Sequence, residues 1–79
     1  MILNIGETYE CEVAQVLSFG IVMKMEDGST ELVHISNISD KFVKDINDYV
    51  SVGDKCKVDC IAGSVKEKEL SMKKYIDID

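Results

Sequence analysis

The chain contains no arginine, no proline and no tryptophan, and it has a single histidine. Without arginine there is no bidentate phosphate recognition, which lysine's compact ammonium does not reproduce. A formal charge of −6 adds to this. Phosphate contacts come from Lys and Arg, so the balance argues against a strong polyanion binder. The chain also lacks a P-loop and a glycine-rich phosphate cradle. Carboxylates abound, but nothing pairs two of them in a cleft. With no catalytic constellation to assemble, the chain reads as a non-enzyme.

Long apolar runs are also missing, so nothing is expected to span a membrane. The start of the chain, Met1-Ile2-Leu3-Asn4-Ile5-Gly6-Glu7, lacks a basic region followed by an apolar one. That pattern predicts no signal peptide and a cytoplasmic location. Cysteine is sparse. Cys11, Cys56 and Cys60 cannot all pair within one chain, and none forms a C-x-x-C motif. Neither a disulfide framework nor a zinc ribbon is indicated. They read as buried reduced thiols. A Cys56/Cys60/His34 metal site is the alternative, without a fourth ligand to name, and no metal is expected.

What is present is globular. Hydrophobic residues make up 46% of the 79 residues, too many for a disordered chain. This length predicts one domain over residues 1–79. Such a domain buries roughly 60% of its unfolded surface. It leaves almost no room for an enclosed cofactor pocket, so no cofactor is expected and function belongs on the surface. With no proline, turn punctuation falls to Gly6, Gly20, Gly28, Gly53 and Gly63.

Residues 8–17 alternate, with Tyr9, Cys11 and Val13 on one face and Glu10, Glu12 and Gln15 on or near the other. Ser18-Phe19-Gly20 makes a turn into a second strand over 20–25. Ile21, Met23 and Met25 share one face there, and Val22 and Lys24 share the other. Glu26-Asp27-Gly28-Ser29 follows, and its Asp-Gly predicts a type I′ hairpin with positive φ at both central positions. A third strand covers 30–35. Residues 36–52 lose the period of two. Ser36-Asn37-Ile38-Ser39 reads as one helical turn and Asp45 to Tyr49 as another, with Asp45 as N-cap. Val52-Gly53-Asp54 turns into strand four, 55–61, with Cys56, Val58 and Cys60 inward. A charged loop over 63–68 leads to strand five, 69–74, with Leu70 and Met72 inward and Ser71 and Lys73 outward.

Five short strands with a helical insertion between the third and fourth predict an all-β fold, a small closed sheet. Closure removes edges that would otherwise aggregate. The five-stranded OB barrel has this count and order, and its second and third strands are the usual oligonucleotide-binding face. Here those strands place Phe19 and His34 near one another, a stacking surface for unpaired bases.

Five segments carry a family resemblance: Ile5-Gly6-Glu7-Thr8-Tyr9, Ser18-Phe19-Gly20-Ile21-Val22, Leu32-Val33-His34-Ile35-Ser36-Asn37-Ile38-Ser39, Val52-Gly53-Asp54-Lys55-Cys56-Lys57-Val58 and Leu70-Ser71-Met72-Lys73. In this order and spacing the chain resembles the S1 RNA-binding domain family over about residues 5–74. The resemblance implies an OB barrel that binds single-stranded RNA through two aromatics and a histidine on strands two and three. An acidic and a basic residue near strands four and five assist. The first aromatic then corresponds to Phe19 and the histidine to His34. Val22 stands in the second aromatic place, a departure from the family pattern. The acidic position falls near Ala62 or Gly63. The basic one falls near Glu67, where Lys66 or Lys68 can substitute.

Stacking on an aromatic is worth ~1–3 kcal/mol per base. Val22 therefore implies binding weaker by roughly one or two orders of magnitude. Weak, salt-sensitive binding with little sequence preference is expected, with Lys24, Lys66, Lys68 and Lys73 supplying phosphate contacts. The implied partner is mRNA or rRNA, met by a monomer associated with RNA or with the ribosome.

Blander roles stand beside these. Phe19 can cap the end of the barrel, and His34 can be a hydrogen-bonded structural residue. Strand lysines also keep sheet edges solvated. Phe42 and Tyr49 are expected to pin the insertion. Glu7, Glu10 and Glu12, with Asp77 and Asp79, read as a solubilising surface that can also repel RNA from one side. The rival function is a protein-interaction or mimic module on an OB barrel that has lost RNA binding. The acidic charge, the missing arginine and Val22 support it.

Overall fold

The computed structural model describes residues 2–39, 43–63 and 67–75. Five antiparallel strands form one sheet: β1 Thr8–Leu17, β2 Gly20–Met25, β3 Thr30–His34, β4 Lys55–Ala62 and β5 Lys68–Ser71. Their spatial order is β3-β2-β1-β4-β5. Single 3₁₀ turns at Ile35–Asn37 and Ile46–Asp48 lie between β3 and β4. This is the five-stranded OB barrel that the alternation predicts, with the helical insertion reduced to short turns.

β1 makes the barrel possible because it serves two neighbours. Its first half pairs with β4, Cys11 opposite Cys56, and its second half pairs with β2, Val16 opposite Ile21. The register slips between Val13 and Gln15, so Ala14 is the extra residue of a β-bulge. A bulge bends and twists its strand. Here it lets one strand turn the corner between two partners. The free edges then meet where Met72 N–H donates to Asn37 O at 3.0 Å, joining the exit of β5 to the turn after β3.

The period of two fills the interior. Val13, Ile21, Met23, Val33, Val58 and Cys60 are all essentially inaccessible to solvent, and Ile38 from the first 3₁₀ turn joins them. Val43, Ile46 and Val50 close the same core from the insertion, with half-buried Tyr49 packed against it. Tyr49 thus pins the insertion as expected, whereas Phe42 lies outside the described residues. Asp45 caps the second 3₁₀ turn as the sequence predicts, its Oδ1 accepting from Asn47 N–H at 3.0 Å.

Three local expectations are corrected. The β2–β3 connection is not a type I′ turn. Among described residues positive φ is confined to glycines, and here only Gly28 has it, at 87°. Gly28 N–H donates to Met25 O at 3.0 Å and Met25 N–H to Ser29 O at 2.8 Å. That is a three-residue loop, a tight turn followed by a left-handed glycine. Asp27 instead accepts from Ser29 Oγ and N–H, at 2.6 and 2.9 Å. Those bonds hold its carboxyl low, at about 2.

The third strand stops at His34 rather than residue 35, because Ile35 already begins the 3₁₀ turn. The fifth strand stops at Ser71, and Ser71 is buried rather than outward-exposed. The capture of Met72 by Asn37 ends the ladder, and the chain folds back at once. Lys73 N–H donates to Ser71 Oγ at 3.4 Å, and Lys73 lies beyond the strand.

The returning segment is anchored on Asp59. Tyr75 Oη and Thr8 Oγ1 donate to Asp59 Oδ1 at 2.6 and 2.7 Å, and Lys74 Nζ lies 3.6 Å from Oδ2. The Tyr75 hydroxyl, then Thr8, holds the Asp59 carboxyl below its ordinary value. A carboxyl depressed on folding stabilises above its unfolded pKa, and that contribution fades as pH falls through the folded value. Tyr75→Phe is expected to cost about 1 kcal/mol at pH 7, a charged hydrogen bond discounted for solvent exposure. The cost should shrink toward zero once pH drops below the Asp59 titration. Urea unfolding of both proteins at the two pH values checks this, and an equal cost at both would refute it.

Candidate nucleic-acid interface

The outward rungs of β2 and β3 define one surface. Gly20 faces His34, Val22 faces Leu32, and Lys24 faces Thr30. The intervening residues Ile21, Met23 and Val33 point into the core. β1 extends the surface with Gln15 beside Val22 and Leu17 beside Gly20. Phe19 stands at the β1–β2 turn with half its area exposed. Ile35 N–H donates to Phe19 O at 2.8 Å, tying that turn to the end of β3. This bond brings the aromatic and the histidine to the same corner of the barrel.

Gly20 permits the close fit beneath them. A Cβ there would lie 2.4 Å from Val33 O and 3.2 Å from Leu32 Cδ1. The strand crossing is therefore tight, and Leu32 lies over the glycine. Leu32 remains 39% exposed. The surface thus offers one ring, an aliphatic floor of Val22 and Leu32, and the exposed imidazole of His34. The His34 Nδ1 lies 2.8 Å from Ser36 Oγ.

Four of the predicted site residues, Phe19, Val22, Lys24 and His34, share this surface. Lys24 sits at its hairpin end, in one cross-strand row with Glu12 and Thr30. Lys68 and Lys73 do not lie on these strands. The Lys68 ammonium donates to Leu3 O at 2.7 Å, and Lys73 follows the end of β5. Lys66 lies outside the described residues. Leu32 is a member that the sequence reading missed. Its two-residue spacing from His34 was the available signal, since both must face the same way on a strand.

The acidic start of β1 is less bare than the sequence suggests. Glu12 pairs with Lys55 at 2.8 Å, and Glu10 lies opposite Lys57. Hydrogen bonding and attraction from Lys55 lower the Glu12 carboxyl. An exposed pair of this kind adds little stability, but it neutralises charge next to Lys24.

The Cys56/Cys60/His34 alternative fails on geometry. Cys60 is buried on the core face of β4 while His34 is exposed on the outer face of β3. Burial, then the neighbouring Cys56, pushes Cys11 up to about 11, and burial, then Asp54, raises Cys56. Among the described residues no helix is long and apolar enough to cross a membrane.

A five-stranded OB barrel with an aromatic exposed at the β1–β2 turn and a histidine exposed at the end of β3 has the form of an oligonucleotide-binding domain. The chain belongs to the S1 RNA binding domain family, whose model matches residues 2–75. Protein YabR of Bacillus subtilis (strain 168) is 39% identical over 61 residues, covering 77% of this chain and 48% of YabR. The solution structure of GSP13 from Bacillus subtilis superposes with a TM-score of 0.76 at 32% identity, covering 92% of this chain and 58% of GSP13. A chain of the a/eIF2alpha–aDim2p–rRNA complex from Pyrococcus horikoshii OT3 has the same fold. Its TM-score is 0.78 at 22% identity, covering 94% of this chain and 46% of that one. The chain thus spans about half the length of these relatives.

Proposed function

We propose that this chain binds single-stranded RNA weakly and with little sequence preference through the β2–β3 face. Phe19 stacks on an unpaired base. Val22 and Leu32 give apolar contact, His34 contributes a polar one, and Lys24 meets a phosphate. Lys66, Lys68 and Lys73 are the further phosphate contacts of this reading. The observation that carries it is the shared corner of Phe19 and His34 on a barrel of the S1 family. Membership in that family and a relative's fold in an rRNA-containing complex support an mRNA- or ribosome-associated role in the cytoplasm. The role proposed is binding rather than catalysis.

The test is a ¹H–¹⁵N titration with a short single-stranded RNA at low and raised salt. Shifts should centre on Phe19, Val22, Lys24, Leu32 and His34. For these four lysine–phosphate contacts on a single strand, affinity should fall roughly 50-fold between 50 and 200 mM salt. Absence of shifts at millimolar RNA would overturn the reading and turn attention to the protein-interaction alternative.

Restoring an aromatic at the departing position should strengthen binding. Val22→Phe is expected to raise affinity by roughly fivefold, the lower end of base stacking on one ring. Direct binding measurements on both proteins check it. An unchanged affinity would mean that no base reaches Val22.

A further inference from the structure

His34 ends β3 and caps the first 3₁₀ turn. Its Nδ1 meets two groups of one residue, Ser36 N–H at 3.2 Å and Ser36 Oγ at 2.8 Å. A backbone N–H can only donate, so Nδ1 must accept. The neutral ring then carries its proton on Nε2. The hydroxyl can rotate to donate to the same nitrogen, which holds the plane of the ring as well.

We propose that Ser36 is a positioning residue that holds the His34 imidazole as the Nε2–H tautomer, so that the β2–β3 face offers one directed hydrogen-bond donor to an acceptor atom of single-stranded RNA. The proposal rests on the RNA-binding reading above. An unrestrained imidazole divides between two tautomers and turns about its side-chain bonds. Each alternative removes the donor from the place where a ligand meets it. On this face the restraint matters because Val22 and Leu32, one rung away, carry no polar group. Ile35 ties the same turn to Phe19 O, so the donor and the stacking ring are held at one corner.

The first half of the test needs no RNA. Long-range ¹H–¹⁵N spectra of the imidazole at alkaline pH should show the Nε2–H pattern. An Nδ1–H pattern, or an even mixture, would overturn the proposal. The second half is a double-mutant cycle read by RNA titration. Ser36 is exposed, so Ser36→Ala should fold normally. It removes the 2.8 Å Oγ bond and leaves only the longer backbone bond at 3.2 Å to hold the ring, so it is expected to lower affinity about two- to fivefold, part of the net worth of one oriented hydrogen bond, and Ser36→Thr should restore it. In a His34→Ala background, Ser36→Ala should cost nothing further, because it acts through the ring. An equal loss with and without His34 would sink the positioning role.

The same comparison on a strand carrying abasic sites locates the acceptor. If the Ser36→Ala penalty disappears there, the acceptor is on a base. If it persists, the acceptor is on the backbone. Either result supports the proposal. Wild-type binding that Ser36→Ala leaves unchanged refutes this inference alone. Failure of the wild type to bind removes the RNA reading and the inference together.

Discussion

Gly20→Ala is expected to destabilise the barrel by about 1–3 kcal/mol, the usual cost of forcing extra volume into a packed site. The cause is space, not backbone conformation, because Gly20 is not among the glycines with positive φ. The added Cβ would lie 2.4 Å from Val33 O, 3.2 Å from Leu32 Cδ1 and 3.3 Å from His34 Cα. The leucine methyl can swing away. The Val33 carbonyl and the His34 backbone belong to β3, and they can retreat only if β3 separates from β2. Opening there would uncover Ile21 and Val33, both fully buried.

A domain this small has little stability in reserve, so the loss should be plain in a urea midpoint. Gly28→Ala provides the contrast. Nothing lies within 4 Å of its added Cβ, but its φ is +87°. Its penalty should come from the left-handed backbone alone and leave the β2–β3 face intact. Amide spectra separate the two cases. Gly20→Ala should move the signals of Leu32, Val33 and His34, whereas Gly28→Ala should move only the hairpin tip. An unchanged midpoint for Gly20→Ala would mean that β3 yields more easily than its buried residues imply.

The same close approach shows which parts of this fold are readable from sequence. Strands β1, β2 and β4 follow the period of two, because one face of each is buried and the other meets water. Asp45 announces its turn because capping is local, a side chain reaching two residues along. What alternation cannot show is decided by partners distant in sequence. The bulge at Ala14 exists only in relation to β2. The end of β5 is set by Asn37, more than thirty residues earlier. The hairpin type turns on whether Asp27 or only Gly28 adopts positive φ, and the Asp27 side chain settles that by bonding Ser29.

The site divides in the same way. Phe19 and His34 were legible from motif order, and parity made Val22 and Lys24 legible. The lysines were the weakest part of the reading, because parity places a Cβ and not an ammonium on a long stem. Lys68 shows this, its ammonium donating to the Leu3 carbonyl. Charge totals mislead for a related reason. The chain carries −6, yet Glu12 beside the β2–β3 face is already matched by Lys55. The sum does not describe the field at the surface that would meet a phosphate.

Phe19→Ala is the substitution expected to cost RNA affinity most. Stacking of a base on one aromatic is worth ~1–3 kcal/mol, a loss of roughly 5- to 150-fold. Among the described residues Phe19 is the only aromatic of the β2–β3 corner, since Val22 occupies the neighbouring place and cannot stack. Its ring is half exposed and outside the buried core, so stability should fall by less than about 1 kcal/mol. The opposed role, a ring that caps the end of the barrel, predicts the reverse. Removing a packed phenylalanine costs about 3–5 kcal/mol, with affinity changing only as far as the fold fails. Measuring the unfolding midpoint and the RNA dissociation constant on the same variant therefore separates the two roles. Phe19→Tyr sharpens the contrast, because it keeps the stacking face and should hold affinity near the wild-type value. If Phe19→Ala leaves affinity intact, the ring is structural, and any RNA contact must rest on His34 and the aliphatic floor.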